Sequence, residues 1–185
     1  MWIFLGRRYR FKSNLFANII YLYYRLDLKV GTIQDVKLHP NADSLYIETV
    51  DVGENRPRTV ISSLVNVIPI EELQGIKAIF LCNLKPQKMR GISSEAMILC
   101  AETPDKLKCE IIEPPKNAKP GDSVIVEGYD GGGSGNSSII KTKIFQSIAK
   151  DLQINDKGEA TYQSANWLVN GQKCTTKSLI NTPIS

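Results

Sequence analysis

Residues 28–36 read LKVGTIQDV, and the fold follows from how this stretch is understood. Its apolar and polar side chains alternate with a period of two, the pattern of a strand with one face in a core and the other in solvent. Alternation places Leu28, Val30, Thr32 and Gln34 on one face, with Val36 continuing it. Gly31 inside such a run predicts a bulge or tight curvature, which a small barrel needs at its corners.

Toward the carboxy terminus the same type of pattern recurs. His39-Pro40-Asn41-Ala42-Asp43 reads as a loop. A second strand is predicted over residues 45–52 (LYIETVDV) and a third over residues 58–64 (RTVISSL). Pro69 ahead of Ile70-Glu71-Glu72-Leu73 predicts a short helix, with acids in its first turn. The continuous apolar runs at residues 77–82 (KAIFLC) and 96–101 (AMILCA) fit central strands buried on both faces. Further strands are expected at residues 108–112 and 123–126. Many short strands with one small helix among them predict an all-β-dominated Greek-key β-barrel of the oligonucleotide-binding (OB) type.

Residues 131–138 (GGGSGNSS) have the composition of a linker. After them, Ile144, Phe145, Ile148 and Leu152 fall on one face of a predicted helix, followed by strand-like pieces at residues 160–162, 167–169 and 173–176. This small α+β annex is too short for a core of its own and is expected to pack on the barrel. The expected division is an extension at residues 1–26, a barrel at 27–130, a linker at 131–141 and an annex at 142–185.

The chain has 185 residues and a formal net charge of +4, but the charge is uneven. Residues 1–26 hold Arg7, Arg8, Arg10, Lys12 and Arg25 and no acid, which leaves the remaining chain slightly acidic. Binding of a polyanion by the body must therefore come from a local cluster of cations. Residues 15–24 (LFANIIYLYY) are too short for a membrane-spanning helix. Their basic-then-apolar order is that of a secretory signal without a cleavage site, or of an Arg-rich presequence. The favoured reading is a partly ordered extension whose aromatics pack on the barrel or on a neighbouring domain. Cys82, Cys100, Cys109 and Cys174 form no CxxC pair, and His39 is the one histidine, so a zinc site is not expected. His39 reads as a loop residue making one hydrogen bond. No cofactor is expected.

Such a cluster lies at Asn83-Leu84-Lys85-Pro86-Gln87-Lys88-Met89-Arg90-Gly91-Ile92-Ser93-Ser94, between the two apolar runs. It carries three cations and meets no acid before Glu95. Lys85, Lys88 and Arg90 are candidates for phosphate contacts, and Asn83, Ser93 and Ser94 for hydrogen bonds to sugar or base edges. Gly91 would let the backbone come close to a ligand. A merely solvated hairpin has the same composition; the absence of acids favours binding.

The segments HPNADSLYIETVDVGE, RTVISSLVN and CNLKPQKMRGISSEAMILCA closely resemble the tRNA-binding domain of the endothelial monocyte-activating polypeptide II type. That domain is found at the end of eukaryotic tyrosyl-tRNA synthetases and in free-standing synthetase cofactors. The resemblance implies a non-catalytic module that binds tRNA with little sequence discrimination and assists an aminoacyl-tRNA synthetase in cis or in trans. It implies a monomeric domain; the free cysteines of the sequence fit a reduced, cytoplasmic compartment, and no membrane partner is expected. Asn83, Lys85, Lys88, Arg90 and Ser93 stand at the family's signature positions, and Ser44 stands in its HPxADSLY motif. Ser63 replaces a usual glycine, and a lysine-rich stretch before the annex helix is reduced to Lys141 and Lys143, which implies weaker binding. A cytokine-like or protein-docking module is the alternative the family allows. A hydrolase or nuclease would need a clustered catalytic constellation that the sequence lacks.

Overall fold

The computed structural model describes Tyr23 and residues 25–128 and 138–185. Expectations for residues 1–22 and for the linker at residues 131–137 lie outside the described residues.

Strands β1 (Leu28–His39), β2 (Ala42–Asp51) and β3 (Arg58–Ser62) form an antiparallel meander, and α1 (Ile70–Leu73) leads to β4 (Lys77–Leu81), which pairs back on β1. A hairpin of β5 (Gln87–Met89) and β6 (Ile92–Ser94) follows, and β7 (Met97–Ile98) returns to β4. The sheet order is β3-β2-β1-β4-β7. β8 (Cys100–Glu102) pairs with β9 (Cys109–Ile111). The annex opens with α2 (Thr142–Ala149) and continues as β11 (Leu152–Ile154), β12 (Ala160–Tyr162), β13 (Ala165–Val169) and β14 (Gln172–Lys173), with β10 (Ile125–Val126) on its edge. Strands curled about one apolar interior, with a short helix ahead of the fourth, make this the expected OB-type architecture. Leu152, assigned to the helix by its spacing, opens a strand instead.

Strand β1 departs from simple alternation. Pairing with β2 passes from Ile33–Val50 to Asp35–Thr49, so Gln34 is an extra, bulged residue. The bulge reverses the facing: Leu28 and Val30 point out of the barrel, whereas Ile33 and Val36 both point into it. Val36 therefore does not continue the face of Leu28 and Val30. Gly31 is not the bulge. It admits the Phe80 ring: a Cβ there would sit 2.7 Å from one ring carbon and 2.9 Å from a Val50 methyl. The loop after β1 is tighter than expected, because the strand runs to His39 and β2 begins at Ala42. His39 Nδ1 accepts the Asn41 N–H at 3.1 Å, the single hydrogen bond expected of it.

Two cores lie on opposite faces of one sheet. Ala78, Phe80 and Cys82 from the β4 region join Ile33, Tyr46, Val50 and Val60 in the barrel interior. Ile79 and Leu81 face the other way, with Leu28 and Val30, onto Phe145, Ile148, Tyr162 and Trp167 of the annex. Burial on both faces is what the KAIFLC run predicts. Tyr23 stacks on Tyr162 with ring centroids 4.7 Å apart, so one aromatic of the extension does pack on the body. Cys82 is buried as a small hydrophobe, its thiol pushed up to about 12 by burial.

Glu48 is the exception inside the barrel. Its carboxyl is fully buried, accepts the Ser62 hydroxyl through Oε1, and has no partner for Oε2 among the described residues. Burial raises its pKa from 4.5 to about 7, against the opposing effect of the Ser62 hydrogen bond.

Two measurements check these readings. Gly31→Ala forces a methyl against the buried Phe80 ring and is expected to destabilise the fold by about 1–3 kcal/mol in urea denaturation; an unchanged midpoint would refute the close approach. A carboxyl whose pKa is raised by folding holds its proton more tightly in the folded state. The Glu48 contribution to stability is thus full below about pH 4.5, falls as the pH rises to about 7, and is level above that. The loss amounts to roughly 3 kcal/mol. Glu48→Gln is expected to remove this slope from melting temperatures recorded between pH 5 and pH 8.

Candidate nucleic-acid interface

The cationic segment starts where β4 ends and stops where β7 begins, at the place where the curled sheet must close. No continuous ladder joins β3 to β7. Closure comes from single bonds: the Glu95 N–H donates to the Thr59 carbonyl at 2.8 Å, and the Ile61 N–H donates to Ser94 Oγ at 2.9 Å. Arg58 completes it. Its Nη1 donates to the carbonyls of Cys82 and Glu95, the latter at 2.9 Å, and its Nε and Nη2 grip Glu54 at 2.9 and 2.6 Å. One guanidinium, on a side chain 17% exposed, thus holds both ends of residues 83–94. The planar fork suits several acceptors at once, which an ammonium could not match.

Between those ends, β5 and β6 pair as Gln87–Ser94, Lys88–Ser93 and Met89–Ile92. Arg90 and Gly91 form the two-residue turn, with φ of 49° and 98°. Positive φ at both central residues is the hairpin turn that matches strand twist, and glycine serves its second position. Gly91 is thereby explained by the turn itself. The period of two then sorts the side chains. Met89 and Ile92 pack down on Leu45, Ile47 and Ile61, while Lys88 and Ser93 share the opposite, exposed face. Lys85 and Arg90 are also exposed. Among the described residues, the side chains of Lys85, Lys88 and Arg90 make no ion pair.

Two of the residues expected at the surface are turned inward. Asn83 is 4% exposed. Its Oδ1 accepts the Asp27 N–H at 3.0 Å, and its Nδ2 donates to the carbonyls of Arg25 at 2.7 Å and Ser138 at 3.0 Å. That side chain is committed to joining the start of the barrel to the entrance of the annex, which corrects its assignment as a donor to sugar or base. Ser94 is likewise buried, bridging the Ile61 N–H and the Ala96 carbonyl. Ser44 is exposed at the start of β2, next to Leu45, on which the hairpin rests.

The annex contributes to the same surface. Leu84 and Ile140 pair in parallel, with Ile140 N–H donating to Asn83 at 2.8 Å and Lys85 N–H to Ile140 at 3.0 Å. Gln87 Nε2 donates to Thr142 Oγ1 at 2.7 Å. Lys141 therefore follows Ile140 as Lys85 follows Leu84, and Lys143 stands one residue into α2. The sequence placed these lysines far from the hairpin. The carboxylate that ends the cationic segment is already engaged: Glu95 takes a two-bond grip from Arg56 at 2.7 and 3.0 Å, which, with the Thr59 N–H, lowers its pKa to about 2.

Comparison with known proteins places this geometry. Residues 28–123 match the family described as "Putative tRNA binding domain". The aminoacyl tRNA synthase complex-interacting multifunctional protein 1 of Mus musculus is 45% identical over 161 residues, covering 86% of this chain and 51% of that protein. The cytoplasmic tyrosine–tRNA ligase of Xenopus tropicalis is 44% identical over 161 residues, covering 86% of this chain and 30% of that protein. This chain thus spans about half or less of these relatives. Among solved structures, the C-terminal domain of Plasmodium vivax p43 superimposes with a TM-score of 0.78 at 31% identity, covering 88% of this chain and 98% of that one.

Arg58→Met keeps the stem and removes the fork, leaving Glu54 and two carbonyls without their donor. It is expected to cost about 2–3 kcal/mol in urea denaturation and to speed amide exchange at Glu95. Exchange at Glu95 as slow as in the parent would show that Arg58 does not hold the closure.

Proposed function

This chain belongs to the tRNA-binding-domain family, and we propose that it is a non-catalytic module that holds tRNA for an aminoacyl-tRNA synthetase, joined to it or free. The observation that carries this reading is the segment of residues 83–94, whose cations face solvent without carboxylate partners among the described residues while its two ends are pinned by Arg58. Lys85, Lys88 and Arg90 take phosphates, with Lys141 and Lys143 extending the path and Ser93 and Ser44 adding hydrogen bonds. Such contacts fix position without reading sequence. Affinity of micromolar order is enough, because a second weak site makes the catalytic encounter partly intramolecular. The relatives' names support a cytoplasmic setting. The covering of Leu28, Val30, Ile79 and Leu81 by the annex supports a monomer.

Replacing Lys85, Lys88 and Arg90 together with alanine is expected to weaken tRNA binding at least tenfold in a filter assay. The slope of log affinity against log salt should flatten by about 2 to 3, one step for each lost phosphate contact. A triple variant with the parent's affinity and salt slope sinks the reading.

A further inference from the structure

A depression of about 100 Å³ lies where the hairpin meets the annex. Its floor is apolar, made by Ile61, Leu84, Met89 and Met97, and Gln87 and Thr142 stand at its rim. No carboxylate lines it, and Lys85 does. Resting on the reading of the hairpin as a tRNA site, we propose that this depression receives one unpaired nucleobase of the bound RNA.

A nucleobase has two apolar faces and a polar edge, and the depression offers the counterpart of each. Thioethers are polarisable and pack well against flat π-systems, and two of them lie in the floor. At the rim, the Gln87 amide holds donors and an acceptor, and the Thr142 hydroxyl can act as either. Gln87 Nε2 already donates to Thr142 Oγ1 at 2.7 Å, so one amide hydrogen and the carbonyl oxygen remain to meet a base edge of either polarity. Such a site accepts a base without selecting which one, as suits a module that reads shape rather than sequence. The charge around it decides the class of occupant. Lys85, which lines the depression, and Lys141, next to Thr142, would hold the flanking phosphates, whereas a peptide entering an apolar dent has no need of an acid-free cationic border.

The test uses an RNA duplex with and without a single unpaired nucleotide, titrated against the full chain. The parent should bind the bulged RNA about tenfold more tightly, the equivalent of about 1.4 kcal/mol. Thr142→Phe plugs the depression from its rim and should bring the bulged RNA to the affinity of the duplex. A preference that survives Thr142→Phe in a variant that melts like the parent places the base elsewhere and overturns the proposal. Equal binding of both RNAs by the parent, with the triple alanine variant losing both, also overturns it but leaves the tRNA reading standing. A triple variant that loses neither overturns both. Should Thr142→Phe fold poorly, 4-thiouridine at the unpaired position of the parent complex decides. Crosslinks to peptides bearing Met89 or Met97 support the site, and crosslinks confined to other peptides refute it.

Discussion

One guanidinium bridges a gap that the sheet itself does not close. The strands at the two ends of the barrel, β3 and β7, share no continuous ladder, and Arg58 reaches across to carbonyls on either side of the hairpin. Without that bridge the segment between Cys82 and Glu95 would depend on the packing of Met89 and Ile92 and on its pairing with Ile140 of the annex. With it, the hairpin has a fixed base, and the backbone that carries the cations loses little freedom when a ligand arrives. Glu54 keeps the fork oriented, and Lys29 ties Glu54 to Asp27 at 3.6 and 3.3 Å, so the bridge belongs to a short chain of alternating charges along one seam.

The same seam explains how a body with little net charge can present a positive surface. Two acids near the hairpin, Glu54 and Glu95, are held by Arg58 and Arg56, neither of which belongs to the hairpin. The cations of the hairpin and of the start of the annex helix thus keep their charge free of ion pairs among the described residues. Placement, and not net charge, governs what such a surface attracts.

Much of this was legible in the residues and some could not have been. The two-sided burial of β4 is written in the unbroken run KAIFLC, and α1 in Pro69 followed by two glutamates. The outward cations were legible as an acid-free stretch between apolar runs. Asn83 was misplaced because a polar side chain beside a basic stretch reads the same whether it faces solvent or three backbone groups from elsewhere in the chain. Its partners lie 55, 56 and 58 residues away, and no local pattern reports them. Gly31 reads as a bulge or tight curvature, since glycine is the local signal for either, yet here it answers to a phenyl ring from another strand and the bulge falls at Gln34. Lys141 joined the surface through a parallel pairing across the linker, a long-range fact of topology.

The shared sheet has a consequence for how the molecule comes apart. Val30 and Ile79 face the annex, while their neighbours Ile33 and Phe80 face the barrel interior, so each layer is the floor of the other. A loosening in one half withdraws support from the back of the other, and the two melt as a single cooperative unit. A chain cut at the linker would bare a greasy stripe to water, and its cheapest remedy would be to cling to any similar stripe nearby.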